Sequence, residues 1–238
     1  MDFDRKVKLI NFILSQDYQT SFDNKLFKLS LLDTYLDEIK FNPKFKIPSD
    51  FMEIYDELGL ISDKDNYYIT FLNELEKKYK LNCNILEIGG GSIPSLAKRI
   101  AKKQINIGSG TITVFDEELA FFKHNYSNLK LQKENLTEKS NIESYDLVIS
   151  LFPCTASFLT VYKALEYNKD FFIGLCDCIH PIYGESDSDY EYDLAHPLEY
   201  QEKMLDEYKY MTKYYSRKLK IIDTLHGFKI ITSKKSIK

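Results

Sequence analysis

The sequence predicts an α/β protein: a Rossmann-like, doubly wound seven-stranded sheet, mostly parallel with its last strand antiparallel, preceded by an N-terminal helical cap. Three observations predict it. Near residue 82 the apolar residues change from helical spacing to alternating strand and helix patterns. A glycine cluster, Gly89-Gly90-Gly91, stands between the first strand pattern and the helix pattern after it. The chain closes on two β-rich runs joined by a tight turn at His226-Gly227, which adds a reversed strand.

Residues 1–81 read as the cap. Val7, Ile10, Ile13 and Leu14 share one helix face, and Leu29, Leu32, Tyr35, Leu36 and Ile39 share another. Pro43 and Pro48 follow as punctuation. A third helix opens at Asp50, a capping residue with Glu53 three positions on, and closes near Gly59. A fourth covers roughly 67–80, with Tyr68, Phe71, Leu72, Leu75 and Tyr79 inward.

Residues 82–238 read as the α/β domain. Asn84–Ile88 is a short buried strand, and 94–103 a helix with Pro94 in its first turn, where a missing N–H costs nothing. Thr111–Phe115 is the second strand, followed by a helix to about His124, and Leu129–Gln132 the third. Tyr145–Leu151 leads to a helix over 157–167, and Phe171–Cys176 to a long helix over 197–217. Residues 219–233 form the closing hairpin. Parallel strands joined by helices place helices on both faces of the sheet. Ligands of such sheets bind beyond the carboxyl ends of the strands, where the strand order reverses.

Composition narrows the class. The 238 residues are 44% hydrophobic and 29% charged, with 18 Tyr and 16 Phe offsetting the absence of Trp, which supports a sizeable core. A net charge of -4 announces no large nucleic-acid footprint. The start lacks the basic-then-apolar order of a signal peptide, and no apolar run approaches the ~18 residues that span a membrane. Four cysteines make no disulfide scaffold. The expectation is a soluble, reduced, cytoplasmic protein with no membrane partner; a homodimer is compatible with it.

Glycines in the turn Glu87-Ile-Gly-Gly-Gly-Ser-Ile-Pro94 let the backbone bend sharply and approach a ligand. The helix start adds partial positive charge, suited to a carboxylate or phosphate. Asp116 ends the second strand, where a carboxylate accepts ribose hydroxyls. This segment resembles motif I of the class I S-adenosylmethionine-dependent methyltransferases. Glu87, Gly89 and Gly91 match it, Ile93 stands at the usual third glycine, and Asp116 matches the family's ribose-holding acid. Tyr145–Ser150 resembles the fourth strand leading into the catalytic loop, and the closing hairpin the family's reversed last strand.

The resemblance covers about residues 82–233 and implies S-adenosylmethionine as cofactor. Glu87 would meet its ammonium, the amides of Gly89, Gly90 and Gly91 its methionyl part, and Asp116 its ribose. Glu134 and Asn135 would approach the adenine, with Ser150 at the site's floor. A tight packing turn and a helix-capping Asp116 are the plainer readings.

Cys154, Cys176, Cys178 and His180 fall at the same carboxyl edge. As pocket wall they need no chemistry. His180 is the candidate catalytic base, neutral near pH 7, and Cys154 is a candidate nucleophile in a sequence context unlike that of cytosine-C5 methyltransferases. Three Cys and one His are a sound zinc set, but Cys-x-Cys-x-His is an unfamiliar zinc spacing, so no metal is expected. The acidic run Glu185, Asp187, Asp189, Glu191 and Asp193, interleaved with Tyr190 and Tyr192 and preceded by Tyr183, is a solvated loop or a lid favouring an amine-bearing acceptor.

These readings converge on an S-adenosylmethionine-dependent methyltransferase acting on a small molecule. An RNA or protein methyltransferase and a non-catalytic S-adenosylmethionine-binding protein remain as alternatives. A nicotinamide-dependent dehydrogenase is disfavoured by Pro94 at the third fingerprint position.

Overall fold

A computed structural model describes residues 63–91, 94–119, 126–176, 197–225 and 227–235. The helices expected before residue 60 and most of the helix expected through His124 lie outside them. Helix α1 spans Asp63–Lys78 and opens into strand β1, Asn84–Ile88. Then come α2 (Ser95–Ile107), β2 (Thr111–Phe115), β3 (Leu129–Gln132) and β4 (Leu147–Leu151). A 3-10 turn at Cys154–Ala156 runs into α3, Ser157–Glu166. Strand β5 (Asp170–Gly174), helix α4 (Pro197–Tyr214) and the hairpin β6 (Lys220–Asp223) and β7 (Lys229–Ser233) complete the order.

The strands form a seven-stranded sheet in the order β3-β2-β1-β4-β5-β7-β6. The pairs β3-β2, β2-β1, β1-β4 and β4-β5 are parallel, whereas β7 pairs antiparallel with β5 and with β6. The chain builds outward from β1 through β2 to β3, then returns to add β4 and β5 on the other side. The switch point lies between β1 and β4, and the crevice for a ligand opens above their carboxyl ends.

Strand β4 is buried along its whole length, as a central strand covered on both faces must be. Its side chains alternate between two cores. Leu147, Ile149 and Leu151 join Ile85, Val114 and Phe172 beneath α1 and α2, with Leu75, Leu96 and Ile100 closing that layer. Val148 joins Leu86, Phe171 and Ile173 beneath α3 and α4, where Val161, Leu165 and Tyr208 close the other. The last helix before residue 81 thus packs on the sheet itself: Phe71 stacks edge-on against Phe172, ring centroids 5.0 Å apart.

Boundaries differ from the sequence reading in small ways with physical causes. Helix α2 starts at Ser95, leaving Pro94 as the cap residue, and runs on to Ile107 until Gly108 ends it in the left-handed region, φ 81°. After β2 the described residues 116–119 make a turn, in which Leu119 N–H bonds to Asp116 O.

Candidate cofactor and acceptor site

The glycine loop is shaped by two constraints. Gly89 and Gly91 have φ of 73° and 72°, conformations that side chains disfavour. Gly90 is required for space instead: a Cβ there would lie 2.5 Å from Val114 Cγ1. Sequence adjacency puts the three glycines in one turn, but each answers a local geometric demand. The Gly89 amide donates to Phe115 O at 3.0 Å, which ties the loop to the end of β2.

Asp116 holds the same loop from the side. Its Oδ2 accepts the Gly91 amide at 2.7 Å, and its Oδ1 accepts the Glu118 amide at 2.7 Å. Each carboxylate oxygen retains a lone pair for a further donor. Ser150, fully buried, donates its hydroxyl to Ile88 O and pins β4 to the end of β1. Glu134 and Asn135 lie exposed after β3, with Asn135 Nδ2 bonded to Glu117 Oε2 at 2.6 Å. The structure thus brings Glu87, Gly89, Gly90, Gly91, Asp116 and Ser150 around one loop and keeps Glu134 and Asn135 on the neighbouring edge.

Glu87 is the anomaly of the loop. It is 3% exposed at the floor of the turn, and its Oε2 has no hydrogen-bond partner among the described residues. Burial pushes its carboxyl up to about 8; the nearby Asp116 charge adds to this, and the Ala97 backbone N–H works against it. A buried carboxyl with an unspent oxygen is costly unless a donor or cation arrives.

The second half of the site follows β4. Phe152 and Cys154 adopt positive φ, 58° and 49°, on either side of Pro153. Such backbone costs non-glycine residues about 1–2 kcal/mol each and gathers at functional sites. The Phe152 ring offsets this by stacking edge-on with Tyr67 and Phe228, centroids 5.5 and 5.3 Å away. The turn carries Pro153 to the glycine loop, its Cα 3.5 Å from where a Gly89 Cβ would stand. Pro153 also walls a cavity bounded by α3, β5 and α4, whose lining includes Cys154, Ser157, Cys176 and Tyr208.

The sequence brought Cys154 and Cys176 to one edge, and their Sγ atoms stand 3.8 Å apart in that wall. Cys178, His180 and the acidic run of 185–193 lie outside the described residues. No group of three or more metal-ligating side chains occurs among the described residues. No described helix is long and apolar enough to cross a membrane. Sequence reasoning missed the strained Phe152-Pro153-Cys154 turn and the Ser157–Tyr208 wall. A Pro directly after a buried strand was the available signal for the first, and the 200, 204, 208 spacing for the second.

The architecture is the class I, Rossmann-like methyltransferase fold, with the reversed strand β7 inserted between β5 and β6. No known family pattern matches the chain, and no curated protein matches it. Among solved structures, it is similar to an S-adenosylmethionine-dependent methyltransferase from Aquifex aeolicus at 10% identity, over 75% of this chain and 96% of that one, with a TM-score of 0.43. It is also similar to the plantazolicin methyltransferase BpumL, solved with a monoazolic desmethyl analogue and S-adenosylhomocysteine: 15% identity, 87% and 100% coverage, TM-score 0.44. The 23S rRNA methyltransferase ErmE matches at 11% identity, 74% and 70% coverage and a TM-score of 0.45.

S-adenosylmethionine fits the residues present. The unspent Glu87 oxygen suits its ammonium, Gly89 and Gly91 hold the turn in conformations a side chain disfavours, and Asp116 retains acceptor capacity for a ribose.

Proposed function

We propose that the protein transfers a methyl group from S-adenosylmethionine to a small-molecule acceptor. The observation that carries this reading is the buried Glu87 carboxyl, whose unspent oxygen sits under a glycine loop that Pro153 joins to the cavity. The cofactor supplies an electrophilic methyl on sulfur. The chain's own residues bind and align: Glu87 and the loop fix the methionyl end, and Asp116 the ribose.

Methyl transfer is an in-line displacement, so alignment by itself can supply much of the rate. Pro153 stands between the two halves, and the cavity beyond it would hold the acceptor. An acceptor protonated at neutral pH also needs a base. His180 is the proposed one.

Thermal shift with S-adenosylmethionine, S-adenosylhomocysteine and NAD tests the reading. Either sulfur ligand at 100 times its dissociation constant should add about 2.7 kcal/mol of stability. A shift with NAD and none with the sulfur ligands would sink it.

A further inference from the structure

Resting on the methyltransferase reading, we propose that Ser157, set in place by Tyr208, anchors the acceptor through one of its oxygen atoms. The acceptor class this implies is a small, partly apolar or aromatic molecule bearing a carbonyl, phenol or ether oxygen.

The wall of the cavity is mixed, with Ser157, Gln201 and Lys229 set among apolar side chains. Pro153, Leu175, Met204 and Leu205 line it together with the rings of Tyr200 and Tyr208. Such a lining takes up a ligand by burying apolar surface, and a few placed polar groups set its orientation. Lys229 also lines the cavity, but its Nζ bonds Asp223 Oδ1 at 2.6 Å. Its charge is therefore already partnered, and the cavity has no unspent cation among its described lining.

Tyr208 and Ser157 supply the placed polar group. Tyr208 has no exposed surface, and its hydroxyl donates to Ser157 Oγ at 3.1 Å. Burial, the largest cause, makes the phenol harder to ionise, so it stays a donor. A hydroxyl carries one hydrogen. Because Ser157 Oγ accepts from Tyr208, its own hydrogen is available to another acceptor, and Ser157 lines the cavity. The tyrosine bond also polarises the serine O–H and strengthens its donation.

The placement is fixed on rigid elements. Ser157 is the first residue of α3, and Tyr208 lies mid-way along α4. Phe158 packs beside Tyr208, ring centroids 6.0 Å apart, which restrains the ring. A molecule with its oxygen on Ser157 would lie along the wall that ends at Pro153, against the glycine loop. Ser157 is then the contact group and Tyr208 a positioning residue acting through it.

Ligand-observed NMR on the full chain tests this with acetophenone, phenol, benzylamine and toluene, each with and without saturating S-adenosylhomocysteine. The expected result is saturable binding of acetophenone and phenol, at least roughly fivefold tighter than toluene and benzylamine. Ser157→Ala should bring both oxygen probes to the level of toluene, and Ser157→Thr should restore them. Tyr208→Phe keeps the ring and should weaken them severalfold in the wild-type background, but not further in Ser157→Ala. Oxygen probes that bind equally to wild type and Ser157→Ala, that fail to bind wild type, or that bind no better than benzylamine would overturn the proposal. Absence of S-adenosylhomocysteine binding would instead count against the methyltransferase reading, because the probe series is also run without it.

Discussion

The two ends of the central sheet treat buried charge differently. At the amino end of β5, Arg217 donates to Ser233 O at 2.6 Å, to Asp170 Oδ1 at 3.1 Å, to Ser233 Oγ at 3.2 Å and to Lys169 O. Tyr79 joins the group by its hydroxyl, 2.9 Å from Thr232 Oγ1. At the carboxyl end, Glu87 keeps a buried oxygen with no partner among the described residues; positive φ occurs at both ends, at Phe152 and Cys154 here and at Asn168 and Ser216 beside the arginine group. Asn128 Oδ1 is the other buried side-chain atom with no partner among the described residues, but an amide bears no charge. The amino end of β5 pairs its buried charge within the chain; the loop after β1 holds a buried carboxyl oxygen with no partner among the described residues.

The largest expected effect falls at the satisfied end. Arg217→Ala removes the donor of Lys169 O, one donor of Ser233 O and the charged partner of Asp170, whose Oδ1 keeps the Lys235 amide at 2.7 Å. That should destabilise the protein by about 3 kcal/mol. For a chain of this size the melting temperature should drop by roughly 6–12 °C. Calorimetry on the variant, with and without S-adenosylhomocysteine, checks it. The ligand-induced increment should match that of the wild type; a lost increment would mean that the two ends are coupled.

Glu87→Gln should have the next largest effect, with opposite signs in the two states. Without ligand, the folded carboxyl titrates near 8 against 4.5 for the ordinary group, so the folded state binds its proton more tightly than the unfolded chain does. The associated stability is complete below 4.5 and is lost as pH rises through about 8. The wild-type melting temperature should therefore fall across that window more steeply than that of Glu87→Gln. Binding of a cation reverses the preference, because the ionised carboxylate is the better partner. Wild-type affinity for S-adenosylhomocysteine should rise from pH 6 to 8, and Glu87→Gln should lose about tenfold, or 1.4 kcal/mol, at the upper end. Equal affinities at pH 8 would remove Glu87 from the site.

Gly90→Ala probes the cradle with a smaller effect. The added methyl would sit 2.5 Å from Val114 Cγ1, and such overpacking costs about 1–3 kcal/mol. Val114→Ala in the same chain should recover most of the loss in isothermal titration with S-adenosylhomocysteine. A Gly90→Ala chain that binds as the wild type does would show that the loop yields without cost.

The geometry of the glycine loop was legible in the sequence because it is local. Glu87, Gly89, Gly90, Gly91 and Ser150 sit on strand ends or in a turn that period-2 patterns locate directly, and Asp116 follows from the end of β2. The acceptor half was only partly legible. Cys154 and Cys176 were assigned to one edge, and they meet there at 3.8 Å. Ser157 and Tyr208 are 51 positions apart, and nothing in either segment shows that α3 and α4 share a face. Positive φ at Phe152 and Cys154 was equally hidden, because neither is a residue that advertises a left-handed turn. It arises from the Phe152 ring seating between Tyr67 and Phe228, both distant in sequence.

Tyr79 offers the smallest test of the contrast and the cleanest one. The sequence placed it inward on an apolar helix face, and its ring does pack edge-on against Phe172, centroids 6.0 Å apart. Its hydroxyl is nonetheless the part that reaches the strand ends at Thr232. Burial pushes that phenol up to about 12, so it remains a neutral donor throughout the ordinary pH range. Tyr79→Phe keeps the ring and deletes the hydroxyl, which should cost about 1 kcal/mol. Thr232 Oγ1 keeps its bond to Phe171 O at 2.7 Å, which is why the loss stays near the value of a single hydrogen bond. The cost should be flat from pH 5 to 9, unlike that of Glu87→Gln. A pH-dependent cost would mean that the charged pair Arg217–Asp170 responds to the hydroxyl, and that the satisfied end of the sheet is held by electrostatics rather than by hydrogen bonds alone.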